Sequence, residues 1–146
     1  MRPTMKTTLP AWLLSFMLPA LLGTSAFSGP EKTYEPKPGS AERKSIMEAM
    51  RSPVSKYVGQ RVIFTGTVKV SGDWATFSGD AAPTEDKPVN DDAAFALELD
   101  LFALLRRTDE KWTVLHWGFS GDVGPMMEAR AKFPDVPTSL VPRFDK

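Results

Sequence analysis

The chain has 146 residues, with 18 basic and 18 acidic side chains and a single histidine, so its formal net charge is zero. That length supports one small core rather than two, and the lack of a basic excess excludes the electrostatic footprint of a nucleic-acid binder. The absence of cysteine excludes a disulfide framework, a lipid-attachment cysteine and a thiol nucleophile.

The first residues stand apart from the rest. Arg2 and Lys6 precede the apolar run Leu9 to Leu22 (LPAWLLSFMLPALL), and small residues follow in GTSA. This order is that of a secretory signal peptide, residues 1–26, with cleavage after Ala26 or, alternatively, Ser28. The run is shorter than the roughly 20 residues that span a bilayer as a helix. Pro10 and Pro19 inside it also weigh against an uncleaved anchor, because each removes a helix hydrogen bond. Loss of this segment leaves 16 basic against 18 acidic residues, and a Gram-negative periplasm is the expected destination, with no membrane span in the mature chain.

Residues 27–39 form an extended leader, in which Ser28 to Gly39 (SGPEKTYEPKPG) is rich in proline, glycine and charge. Residues 40–137 read as one α+β domain. Ser40 is placed as a helix N-cap with Glu42 in the first turn, and Ile46, Met47, Met50 and Val54 fall on one helical stripe. The helix is expected over Ala41 to Tyr57, bent or restarted at Pro53. The methionines on its stripe read as core rather than as a cofactor box.

The period then changes to two. Val62, Phe64, Gly66, Val68 and Val70 share one face of a strand, and Gly66 marks a bulge or a close approach by the helix. In VSGDWATFSGD, Ser71-Gly72-Asp73 is a hairpin turn, and a second strand runs from Trp74 to the corner at Gly79-Asp80. Asp80 to Asp92 is a long acidic loop. Ala96 to Arg107 alternates as a third strand, with a helix at its N-terminal end, capped by Asp92, as the alternative. Trp112 to Phe119 is the fourth strand, and alternation places His116 with Trp112 and Val114, opposite Leu115 and Trp117. A glycine-rich corner with Pro125 leads into a short helix, Met126 to Phe133. The proline-punctuated tail, residues 138–146 included, is expected to lie over the surface.

A helix followed by a four-stranded antiparallel meander needs the helix to cover the sheet; a cystatin-like or NTF2-like cradle has this order. The phrases PGSAERKSIMEAMRSPV, VSGDWA, ALLRR, KWTVLHW and the GDV corner, taken together, resemble a family of exported bacterial proteins. The resemblance covers Pro38 to Pro137 and implies a signal peptide and a small α+β domain. It brings no catalytic residues, since the family has no assigned activity. The loop DAAPTEDKPVNDD departs from the simpler proline-rich turn of that family.

A search for chemistry turns up few candidates. His116, the only histidine, excludes a metal site built on two histidines; as a general base it would need Asp73 or Asp122 to orient it. Turn chemistry accounts for Asp73, helix capping for Asp122, and a backbone hydrogen bond for a half-buried His116. The loop acids Asp80, Glu85, Asp86, Asp91 and Asp92 offer oxygens to calcium but lack the spacing of a calcium loop, and no phosphate-binding glycine loop is present. No cofactor is therefore expected. Trp74, Trp112 and Trp117 lie on neighbouring strands and are either core or a ligand or partner surface. The leading reading is a non-enzymatic periplasmic or envelope binding module that uses the tryptophan-bearing sheet and the acidic loop. The alternative is a small-molecule-binding or enzymatic NTF2-like domain using His116 with Asp73 or Asp122. A protease-inhibitor role by cystatin analogy rests on fold order alone.

Overall fold

The computed structural model describes residues 32–145; the expected signal peptide and the start of the leader lie outside them. Helix α1 (Ala41–Val58) is followed by strands β1 (Val62–Ser71) and β2 (Trp74–Pro83), a short helix α2 (Asp91–Ala96), strands β3 (Asp100–Thr108) and β4 (Lys111–Ser120), and helix α3 (Gly124–Lys132). The strands form one antiparallel sheet in the order β1-β2-β3-β4. The fold is α+β, and among the described residues no helix is long and apolar enough to cross a membrane.

The start of α1 follows from Ser40, whose hydroxyl accepts from the Arg43 N–H, satisfying a donor the first turn leaves unpaired. Its end follows from Gly59, which takes φ 90° and returns its N–H to the Ser55 carbonyl. Pro53 neither stops nor restarts the helix. Ile46, Met50, Val54 and Val58 recur every fourth residue on its buried face and meet Val62, Val68, Val70, Phe77, Leu101, Ala103, Leu105 and Trp112 of the sheet. The α1 backbone approaches the edge strands β1 and β4 more closely than the central pair, so the sheet curves around the helix.

The opposite face of the sheet has its own cover. Phe102 and Leu104 pack with Ala129 of α3 and with Val136, Leu140 and Val141 of the tail. The tail, expected on the surface, is therefore an integral layer, because β3 is apolar on both sides and needs two partners. Arg130 holds it in place: its guanidinium donates to the carbonyls of Pro134 at 2.9 Å, Val136 at 2.7 Å and Val141. The leader is tied in as well. Tyr34 exchanges backbone hydrogen bonds with Val70 at 2.9 and 2.8 Å, covering part of the β1 edge, and Thr33 donates to Ser139.

Three other expectations change. Strand β2 does not stop at Gly79-Asp80 but pairs with β1 as far as Pro83. The third strand begins at Asp100, and the residues just before it include helix α2, the alternative that the alternating pattern had outweighed. Gly66 faces Gly79 directly across the β1–β2 pair, so the close approach comes from the neighbouring strand. A Cβ on Gly66 would lie 2.3 Å from the Ser78 carbonyl oxygen, and one on Gly79 2.2 Å from that of Thr65.

Candidate functional site

Strand β4 contains the feature that sets the site. The pairing runs Leu104 with His116 and then Leu105 with Val114, leaving Leu115 as an extra residue. Such a bulge shifts the side-chain alternation by one. Trp112 and Val114 face α1 on one side of it, and Trp117 and Phe119 face α1 on the other. His116 is thereby moved away from Trp112, onto the α3 face opposite Leu104. Simple alternation had the two assignments the other way round, because a bulge made of a strand-compatible leucine leaves no mark in the sequence.

The three polar candidates do not converge. Asp73 sits in the β1–β2 turn, where its carboxylate accepts from Arg107 Nε and Nη2 at 3.3 Å and its carbonyl accepts the Arg107 N–H at 2.7 Å. Asp122 lies beyond the far end of β4, about 25 Å away at about 3.3 Å of rise per strand residue. Its Oδ1 accepts from the Ser120 hydroxyl at 2.6 Å and from the Gly124 N–H at 2.8 Å. These two bonds, the hydroxyl first, hold its carboxyl below the usual carboxylate range. They make Asp122 a cap-like acceptor at the start of α3 in a hollow of about 450 Å³ that Asp100 also lines. His116 meets neither aspartate. Its Nε2 is 3.1 Å from Glu128 Oε2 of α3, yet the two are not aligned as a hydrogen bond.

The tryptophans are dispersed too. Trp112 is 5% exposed and belongs to the α1 core. Trp74 is on the other face, edge-on to Phe133 at 6.4 Å and under the Arg106 guanidinium at 4.8 Å. Trp112 still borders the hollow beside Arg107, and Trp117 lines a separate cleft. Among the described residues no three histidine or carboxylate side chains gather as cation ligands; Asp80 is in β2, Glu85 pairs with Lys87, and Asp91 and Asp92 open α2.

Two hollows are larger than the one beside Asp122. One, about 770 Å³, lies where α1 passes the β1–β2 and β3–β4 turns. Four of its polar groups answer one another: Arg107 stands 3.3 Å from Asp73 and 3.9 Å from Glu42 and lies over the Trp112 ring, while the Tyr34 hydroxyl donates to Glu42 at 2.9 Å. Burial, followed by that contact with Glu42, raises the Tyr34 phenol above its ordinary value. This is an ion-pair network around one guanidinium at the rim of the fold, with Asp109 and Glu110 lining the hollow beside it.

The other, about 680 Å³, opens between the C-terminal turn of α1, helix α2 and the end of β4. One wall is aromatic. Tyr57 meets the Trp117 ring at 5.6 Å and 75° and the Phe119 ring at 6.0 Å, and Trp117 meets Phe119 at 6.0 Å and 84°. The facing wall is α2, with Asp91, Asp92 and Phe95 lining the cleft; spacings of three and four bring these side chains to one helix face. Phe95 is 67% exposed and Tyr57 40%. The Asn90 side-chain amide joins the walls by donating to the Tyr57 carbonyl. Of these residues, Trp117, Asp91 and Asp92 were candidates from sequence; Phe95 was not, and its signal was the Asp-Asp-x-x-Phe spacing within a helix too short to show a periodicity. Compared with known proteins, the chain matches no family, no curated protein and no solved structure.

Proposed function

We propose that the protein is a non-enzymatic binding module, exported to the periplasm or envelope, that takes its ligand or partner in the aromatic cleft between α1, α2 and β4. The observation that carries this reading is the Phe95 ring. It is exposed, belongs to neither apolar cluster and faces a wall of three further rings. Large rings dominate binding energetics where they line a concave surface, and Phe95 has no counterbalancing place in the core. Against an enzymatic role stand the separate locations of His116, Asp73 and Asp122. The curve of the sheet around α1 supports the cystatin-like or NTF2-like cradle, with the cleft at one end of it. Export rests on the charge, apolar run and small residues of the first 26 positions.

The test is resonance mapping of the chain against amines, sugars, short peptides and lipids. Shifts centred on Tyr57, Phe95, Trp117 and Phe119, lost in Phe95→Ala with no change in melting temperature, are the expected result. Shifts centred on the Glu42–Arg107 hollow, or none with any ligand, defeat the proposal. Mass measurement of the chain from a periplasmic extract checks export, which predicts an N-terminus at Phe27.

A further inference from the structure

The lining of the aromatic cleft has one sign of charge. Among the described residues, Asp91 and Asp92 are its only ionisable groups apart from the tyrosine phenol, and no lysine or arginine reaches it. Both carboxylates are exposed, and neither has an ion-pair partner among the described salt bridges. The Arg107 hollow differs in that a guanidinium already stands between two of its acids, Asp73 and Glu42, with Asp109 and Glu110 lining it as well. A ligand entering the cleft meets ring faces and edges from Tyr57, Trp117 and Phe119 on one side. On the other it meets a fourth ring carried one helical turn from two carboxylates.

From this we infer that the cleft recognises an organic cation, an alkylammonium group small enough to sit between Phe95 and the Tyr57–Trp117–Phe119 wall. The inference deepens the proposed binding role and depends on it. Ring quadrupoles attract a cation over their faces, and the alkyl groups of an ammonium take the apolar contact that a hydrated metal ion refuses. The carboxylates supply the counter-charge. A neutral sugar would use the rings and the acceptors but would not need two uncompensated negative charges. The steep angles of Trp117 to both of its neighbours build a corner rather than the flat platform on which a sugar ring lies. Free amines and the alkylated lysine of a peptide share this chemistry.

The experiment titrates the purified chain with choline, with its neutral isostere 3,3-dimethylbutanol, with glucose and with an N-acetyl trimethyllysine amide, following Trp117 resonances and heat. The expected result is binding of choline at least about tenfold tighter than the isostere, weakening as salt screens the carboxylates. Asp91→Asn with Asp92→Asn should remove most of that preference while leaving affinity for the isostere and the melting temperature in place. Tighter binding of the lysine derivative assigns the cation to a peptide, and tighter binding of choline to a free amine; either supports the inference. Equal binding of choline and isostere, or binding of glucose alone, overturns the cation while the cleft stands. No binding by any of the four, in a chain that melts normally, overturns the inference, and the cleft falls with it once the wider panel is also flat.

Discussion

Asp122 and Arg130 show how single polar groups hold the α3 side of the molecule. The Asp122 carboxylate is favoured by the Ser120 hydroxyl first and the Gly124 N–H second, which lowers its pKa. A depressed carboxyl contributes stability above the ordinary carboxylate range and loses it as pH falls through its own lower value. Titration of the Asp122 side-chain carbon should give a midpoint below the ordinary range, moving upward in Ser120→Ala; an unchanged midpoint would assign the effect to the backbone donor. Arg130 acts differently, because its partners are carbonyls rather than a carboxylate. Burial and the nearby Arg143 lower its pKa, but an arginine keeps its charge at neutral pH, so its three acceptors stay satisfied. Arg130→Met keeps the aliphatic stem and removes the donors. It should cost about 2 kcal/mol in urea unfolding, and a loss within a few tenths would mean that the tail is held by its apolar contacts alone.

At the level of elements, β1 and β2 depend on each other through Gly66 and Gly79. Each lacks room for a Cβ because the partner strand's backbone occupies the space, so Gly79→Ala must push the strands apart. A loss of about 1–3 kcal/mol is expected, and Gly66→Ala with Gly79→Ala should lose less than the two single changes combined, since one separation relieves both. Calorimetric melting of the three variants measures this; additive losses would show two independent contacts. Helix α1 could be read from sequence because its cap, its stripe of every fourth residue and its terminal glycine agree. Strand β2 was read too short because Gly79-Asp80 looks like punctuation, whereas that glycine is required by strand contact. Helix α2 has six residues, less than two turns, and its alanines fit a strand pattern equally well. The aromatic cleft is only partly legible in the sequence, since Tyr57 reads as the end of a helix and Phe95 falls between the acidic loop and the third strand, in neither.

The molecule as a whole is a sheet covered twice, by α1 on one side and by α3 with the tail on the other. The uninterrupted apolar run Leu101 to Leu105 in β3 signalled this two-sided burial more directly than its alternation did. Ending the chain at Pro137 would remove Leu140 and Val141, both buried, and one acceptor of Arg130. A loss of about 3–5 kcal/mol is expected, a large part of the roughly 5–15 kcal/mol that holds an ordinary domain. Urea titration of that truncation against the intact chain checks it; equal midpoints would make the second layer dispensable.

The extra residue at Leu115 works as a phase shift within β4. Upstream of it, odd and even positions are assigned to the two faces in one sense, and downstream in the other. Removing Leu115 alone would restore a single phase, keep Val114 opposite Leu105 and His116 opposite Leu104, and leave Trp117 and Phe119 toward α1. In evolutionary terms the bulge is an inserted residue that the strand absorbs without reassigning any ring of the cleft wall. A lineage could gain or lose Leu115 by a single codon while every side chain of the cleft kept its face.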